Sequence, residues 1–175
     1  ENKTVARKFM KNIIILVGVA SVLSLLGLGS VSAQKTAAEV TSLTGQDYEE
    51  IKALYARYNQ GSDFRDAELF LSAFAEDAVM TRDGGDIVGM AELRADRARR
   101  YQGQTGDVGR RHFNGSLLIR ATIEGASARS YYILYDVAAR PRTMLSSGYY
   151  HDDFVRTADG WRIKHRTLII DAAAE

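Results

Sequence analysis

The stretch RHFNGSLLIRATIEGASARSYYILYDVAARPRTMLSSGYYHDDFVRTADGWRIKHRTLII, residues 111–170, decides the fold. Apolar and polar residues alternate along most of it, which is the two-residue period of a strand. Three breaks divide it: Glu124-Gly125, Ala139-Arg140-Pro141-Arg142 and Ala158-Asp159-Gly160. Connections this short join antiparallel neighbours, so the spacing predicts strands over 111–123, 127–138, 143–157 and 160–170.

Upstream the period changes. Ile51, Leu54, Tyr55 and Tyr58 recur at i, i+3, i+4 and i+7, one face of a helix that Gln46 or Asp47 starts and Asn59-Gln60-Gly61-Ser62 stops. A second helix is expected from about Asp63 or Arg65, with Leu69, Phe70, Ala73 and Phe74 on one stripe. Ala78 to Thr81 reads as a short strand and Asp83-Gly84-Gly85-Asp86 as a turn. A third helix, about Met90 to Tyr101, carries Arg94, Arg97, Arg99 and Arg100; a Gly-rich loop follows from Gly103 to Gly109. The order, three N-terminal helices and then an antiparallel meander, predicts an α+β fold with helices on one face of the sheet.

The N-terminal segment reads as an address. Lys8 and Lys11 precede an apolar run from Ile13 to Leu28, and Val31-Ser32-Ala33 is a small-x-small cleavage signature. This predicts a signal peptide over 1–33, cleavage after Ala33 and export to the periplasm or the exterior. The run falls short of the ~20 residues that span hydrocarbon, although an uncleaved anchor is the alternative. A tether over 34–46, a domain over 47–171 and a tail over 172–175 complete the organisation.

The chain has 175 residues and a net charge of +1, but residues 1–33 hold four basic groups and one acid, so the body is slightly acidic. That excludes a strong pull on nucleic acid, and cleavage leaves no stable membrane association. The absence of cysteine excludes disulfides, thiolate metal sites and a Cys nucleophile.

Alternation puts His112, Asn114, Ser116 and Leu118 on one face of the first long strand, and Phe113, Gly115, Leu117 and Ile119 on the other. In the third, Tyr150 and Asp152 oppose Tyr149, His151 and Asp153. In the last, Arg162, Lys164 and Arg166 alternate with Trp161, Ile163, His165 and Thr167, and the basic set reads as solvated. Polar groups scattered into a face that helices should cover imply either an internal cavity or a wet surface.

Taken in order, four groups of residues carry a resemblance. They are Ile51-Lys52-Ala53-Leu54-Tyr55-Ala56-Arg57-Tyr58; Asp63-Phe64-Arg65-Asp66 with Phe74-Ala75-Glu76-Asp77-Ala78; Arg111-His112-Phe113-Asn114; and Gly148-Tyr149-Tyr150-His151-Asp152 running on to Arg156, Asp159-Gly160-Trp161-Arg162-Ile163, Arg166 and Asp171. Together they resemble the SnoaL-like proteins of the nuclear transport factor 2-like superfamily, in the branch of scytalone dehydratase-like and bile-acid dehydratase-like proteins. The resemblance implies a cone-shaped α+β barrel enclosing a pocket, no cofactor, a small hydrophobic ligand, and a homodimer or homotrimer formed through the outer sheet face. It implies lyase, isomerase or cyclase chemistry in catalytic members.

Carried over by position, Asp63 matches an acid that assists a histidine, His112 matches that histidine, and Tyr58 matches a tyrosine donating to substrate oxygen. Asn114, Ser116, Tyr132, Tyr150 and Trp161 are the expected substrate-binding residues. A second pocket tyrosine of dehydratase-like members has no counterpart, since Met80-Thr81-Arg82 occupy that stretch. Ser130, Tyr132 and Asp136 are imperfect candidates for a later pocket acid or amide.

An Asp–His pair suits proton abstraction beside a carbonyl, with Tyr58 polarising the oxygen. Other roles stand beside these: Asp63 as a helix cap, His112 as a strand histidine, Tyr58 as core. The Arg-rich helix reads as a solvated face, or else as an anion-binding rim at a pocket mouth. His151 and His165 read as structural or exposed, and three scattered histidines suggest no metal site. The functional expectation is an exported, cofactor-independent lyase (dehydratase) or isomerase; the alternative is a non-catalytic ligand-binding or interaction domain of the same fold.

Overall fold

The computed structural model describes residues 42–82 and 85–172. The expected signal peptide, the tether up to residue 41, the first half of the Asp83–Asp86 turn and the last three residues of the tail lie outside the described residues. The elements are α1 (Gly45–Asp63), α2 (Ala67–Leu71), β1 (Phe74–Arg82), β2 (Gly85–Val88), α3 (Gly89–Tyr101), β3 (Arg110–Thr122), β4 (Gly125–Asp136), β5 (Thr143–Thr157) and β6 (Gly160–Ile170). One open six-stranded sheet runs β2-β1-β6-β5-β4-β3.

Thr44 caps α1 and shares a capping box with Asp47. The helix then runs past the expected stop to Asp63, because Gly61 serves packing rather than a turn: a Cβ there would sit 2.4 Å from the Phe70 nitrogen. Asp66 caps α2 through its bond from the Leu69 amide at 2.9 Å. That helix ends at Leu71, so Phe74 begins β1 instead of extending the helical stripe. The helices are also not all N-terminal, since β1 and β2 come between α2 and α3. The sheet is mixed: β1 runs parallel to β6, and the other pairings are antiparallel. A core of Ile51, Leu54, Phe70, Phe74, Met80, Leu93, Phe154 and Ile163 joins helices to sheet; burying each large apolar side chain contributes about 1.5–3 kcal/mol.

Three register breaks in the antiparallel pairings reset the alternation, beside one between Phe74 and Val79 where β1 meets β6. In β3 the pairing shifts between Gly115 and Leu118, with Ser116 at φ 51°. Beyond it the faces invert: Ile119 is buried, and Leu118, expected to share the face of His112, is exposed. In β5, Leu145 is the extra residue between the pairs Leu134–Ser146 and Tyr135–Met144. In β6, Lys164 is extra between Ile163 and His165, and it pairs with Asp77 on the surface. Trp161 and Ile163 point inward before this bulge, Arg166 after it. The expectation that Arg166 is solvated is therefore overturned: it is fully buried.

Candidate active site

Asp63 closes α1 and is 3% exposed. Its Oδ1 lies 2.6 Å from His112 Nδ1, and its Oδ2 accepts the His112 main-chain N–H at 2.9 Å. One carboxylate thus ties the end of the helix to the start of β3 and orients the ring. A carboxylate only accepts, so Nδ1 carries the hydrogen and Nε2 the lone pair of the neutral imidazole.

His112 lines a cleft of about 350 Å³ with Tyr58, Tyr132 and Tyr150. The Tyr58 ring meets the His112 ring edge-on at 6.4 Å and the Tyr150 ring at 5.6 Å, and Tyr150 stacks on Tyr132 at 5.0 Å. Burial pushes the Tyr150 hydroxyl well above its ordinary pKa, so it stays protonated, a donor. Leu134, Leu168 and Ile170 form an apolar wall, the last two turned inward by the bulge at Lys164.

Most of the remaining lining is cationic, with Ser62, Tyr101 and Ser146 among it. Arg65, Arg82, Arg97, Arg100 and Arg110 reach the cleft. Asp96 accepts from Arg82 at 2.6 Å and from Arg100 at 3.2 Å, and also pairs with the buried Arg97. Burial pushes the Asp96 carboxyl up, but the hydrogen bonds and charges of these guanidinium groups outweigh it and hold it below the ordinary value. The Arg-rich helix is therefore divided: Arg94 and Arg99 are largely solvated, whereas Arg97 is inside.

Behind Tyr58 and Tyr150 lies a buried network in which only Arg166 Nη1 is left without a hydrogen-bond partner among the described residues. Arg166 donates to Asp152 at 2.7 and 2.8 Å, Tyr55 donates to Asp152 at 2.5 Å, and the guanidinium packs 4.3 Å from the ring centroids of both Tyr58 and Tyr150. Sequence reading assigned no role to Arg166, Asp152 or Arg82; the bulge that turns Arg166 inward leaves no compositional signal.

The expected substrate-binding residues divide. Tyr132 and Tyr150 line the cleft with His112 and Tyr58, and Asp63 is joined to it through His112. Asn114 sits outside the lining, pairing with Asn59 and donating to the Tyr131 carbonyl at 3.2 Å. Ser116 is exposed on the β3 bulge. Trp161 is 2% exposed and donates to Asp47 at 2.8 Å. Asp47 and Asp63 are sixteen residues apart on α1, about 24 Å along the axis, so Trp161 belongs to the other end of the helix. Of the imperfect candidates, Ser130 is buried within β4, and Asp136 caps the next turn through the Ala138 and Ala139 amides. His151 is exposed, and His165 Nε2 lies 3.2 Å from the Thr81 hydroxyl.

The family model for the SnoaL-like domain matches residues 44–167. The chain belongs to the SnoaL-like family. Among solved structures this SnoaL-like chain is similar to a protein of unknown function from Mycobacterium tuberculosis, at 28% identity over 74% of this chain and 79% of that one, with a TM-score of 0.65. It is similar to a nuclear transport factor 2-like protein with a cystatin-like fold from Novosphingobium aromaticivorans, at 26% identity over 74% and 85% of the chains, with a TM-score of 0.62. A proposed scytalone dehydratase from the same organism shares the fold at 19% identity over 73% and 85%, with a TM-score of 0.60. No curated protein matches the sequence.

Proposed function

We propose that the protein binds a small organic molecule with an apolar body and removes a proton from it, as a cofactor-independent lyase or isomerase. The observation that carries this reading is the 2.6 Å contact of Asp63 with His112 Nδ1 at the edge of a 350 Å³ cleft. In this mechanism His112 Nε2 takes the proton from a carbon beside a carbonyl. The C–H electron pair becomes the C=C bond of an enolate, whose oxygen accepts a hydrogen bond from Tyr58 or Tyr150. The imidazolium, stabilised by Asp63, then returns the proton. Delivered to a β-hydroxyl it releases water and leaves the conjugated carbonyl; delivered to another carbon it isomerises the molecule. General acid–base catalysis of this kind contributes typically ~10²–10⁴-fold. The fold shared with a proposed scytalone dehydratase agrees with elimination as the outcome.

Loss of water from a panel of β-hydroxy ketones and β-hydroxy acids, followed by proton NMR, tests the reading. Turnover by the native chain that falls at least ~100-fold in His112→Ala supports it; equal rates in the two overturn it. The second reading, a ligand-binding domain without chemistry, is favoured by Arg82 in the cleft where dehydratase-like members are expected to carry a tyrosine.

Export through residues 1–33 belongs to the same proposal, supported by the charged, apolar and small-residue order of that segment. So does a homodimer or homotrimer through the outer sheet face, supported there by exposed Phe113, Tyr131, Ile133 and Met144. Light scattering on the purified chain reads the assembly directly.

A further inference from the structure

Five guanidinium groups line the cleft. Asp96 bonds three of them, and Asp136 stands opposite Arg110 in the β3–β4 ladder without an ion pair to it. Asp96 is already shared by Arg82, Arg97 and Arg100, while Arg65 and Arg110 form no ion pair with a carboxylate among the described residues. Arg65 Nη1 donates to the Arg100 carbonyl at 2.6 Å, but its buried Nε has no hydrogen-bond partner among the described residues.

The backbone at Arg65 points the same way. Arg65 follows the α1 C-cap with φ 56°, and the next amide, Asp66 N–H, reaches back to the Gly61 carbonyl at 2.9 Å. This left-handed position after a helix is one where glycine is favoured and a side chain is strained. A strained arginine with a buried, unpaired donor at the cleft is unfavourable for stability alone, and becomes intelligible if a ligand completes it.

We propose that the cleft takes a small organic acid, its carboxylate held by Arg65 and Arg110 and its apolar body against Leu134, Leu168 and Ile170. This rests on the reading of the cleft as the ligand site and names the class of ligand. The guanidinium fork matches a planar carboxylate, and the apolar wall requires a carbon body that a free phosphate or sulfate ion lacks. Arg110 and His112 are two residues apart on one face of β3, about 7 Å along the strand. The carboxylate therefore lies a few bonds from the carbon that His112 would deprotonate. The class is accordingly small keto or hydroxy acids, and the reaction upstream of this protein must leave the acid free rather than esterified.

Calorimetric titration of the full chain with benzoate, the neutral isostere benzamide, phenyl phosphate and inorganic phosphate tests this. Benzoate is expected to bind at least ~10-fold more tightly than benzamide at low ionic strength, with the difference shrinking in 0.5 M salt. Arg65→Gly and Arg110→Gln are each expected to weaken benzoate about fivefold or more and to leave benzamide within twofold. Both changes avoid the core, and circular dichroism checks that the variants fold. Benzamide binding as well as benzoate, no saturable benzoate binding at ~10 mM, equal loss of both probes in the variants, or a preference for phenyl phosphate or inorganic phosphate over benzoate would each overturn it. The titration reads binding and not turnover. A cleft that prefers benzoate but converts nothing overturns the lyase reading alone; turnover of a neutral ketone without benzoate preference overturns the organic-acid assignment alone.

Discussion

Arg166 and Asp152 meet in a two-pronged ion pair with neither residue exposed: Nε and Nη2 of the arginine donate to the two carboxylate oxygens at 2.7 and 2.8 Å. Burial works against the charge on Arg166, but the adjacent carboxylate outweighs it and holds the guanidinium well above its ordinary pKa. Tyr55 completes the carboxylate, and the guanidinium packs 4.3 Å from the ring centroids of Tyr58 and Tyr150, which line the cleft. Removing one partner leaves an uncompensated charge in a dry interior. Asp152→Ala is expected to cost about 3–5 kcal/mol in urea unfolding. The triple change Tyr55→Phe, Asp152→Leu, Arg166→Met removes the whole set and is expected to recover most of that loss. If the triple variant is as unstable as Asp152→Ala, the pair itself supplies net stability.

The Asp63–His112 contact makes a prediction that needs no substrate. The native chain should show His112 as the Nδ1–H tautomer in long-range proton–nitrogen NMR spectra, because Oδ1 accepts at 2.6 Å. In Asp63→Asn the amide oxygen can still accept the main-chain N–H, so the fold is kept, while the amide nitrogen can donate to Nδ1 and favour the opposite tautomer. Any turnover found is expected to fall about 10²–10⁴-fold with it. An unchanged tautomer in Asp63→Asn would remove the orienting role.

Asp63 and His112 enter the sequence reading through the resemblance to SnoaL-like proteins, and the structure places one at the end of α1 and the other near the start of β3. The change from a 3.6-residue to a two-residue period is legible in the residues themselves. The strands from Thr143 and Gly160 are legible for the same reason. What is lost is everything downstream of a bulge. One extra residue moves every later side chain to the other face, so Arg166 is buried and Leu168 and Ile170 face the cleft although strict alternation from Trp161 puts them on the opposite face. Trp161 fails as a ligand residue for another reason: the inner face is right, but its strand meets α1 at the Asp47 end, and helix length is not visible in alternation. The parallel β1–β6 pairing is equally hidden, since residues 83–162 separate the two edges.

Asp47 predicts how stability follows pH. Its carboxylate accepts from Trp161 at 2.8 Å, from the Thr44 hydroxyl and amide at 2.7 and 2.8 Å, and pairs with Arg156. These bonds, the Trp161 donor foremost, hold its carboxyl well below the usual range of about 3.9. As the pH falls the unfolded chain therefore takes up this proton first, and protonation favours unfolding. The contribution of Asp47 is full above about pH 5 and shrinks as the pH drops further. Asp47→Asn should lower stability near neutrality by about 2 kcal/mol and flatten the acid limb of the unfolding profile, read as urea midpoints between pH 2 and 7. A parallel downward shift at every pH would exclude this linkage.

Gly148 couples the sheet to the cleft. It pairs with Tyr132 on β4 and Ile170 on β6, both lining residues. A Cβ at this position would lie 2.0 Å from the Ile169 carbonyl oxygen and 2.9 Å from the Tyr132 ring. The carbonyl is backbone at the end of the β5–β6 ladder, where Gly148–Ile170 is the last pair, so the end of β6 must move away from β5 or the Tyr132 ring must leave its stack on Tyr150. Gly148→Ala is expected to cost about 1–3 kcal/mol of stability. It should also broaden or shift the Tyr132 and Tyr150 ring signals before the global transition. Gly45→Ala is the matched control, since a Cβ at Gly45 meets nothing within 4 Å. Equal stability of the two alanine variants would mean that β5 and β6 are less closely joined than this geometry requires.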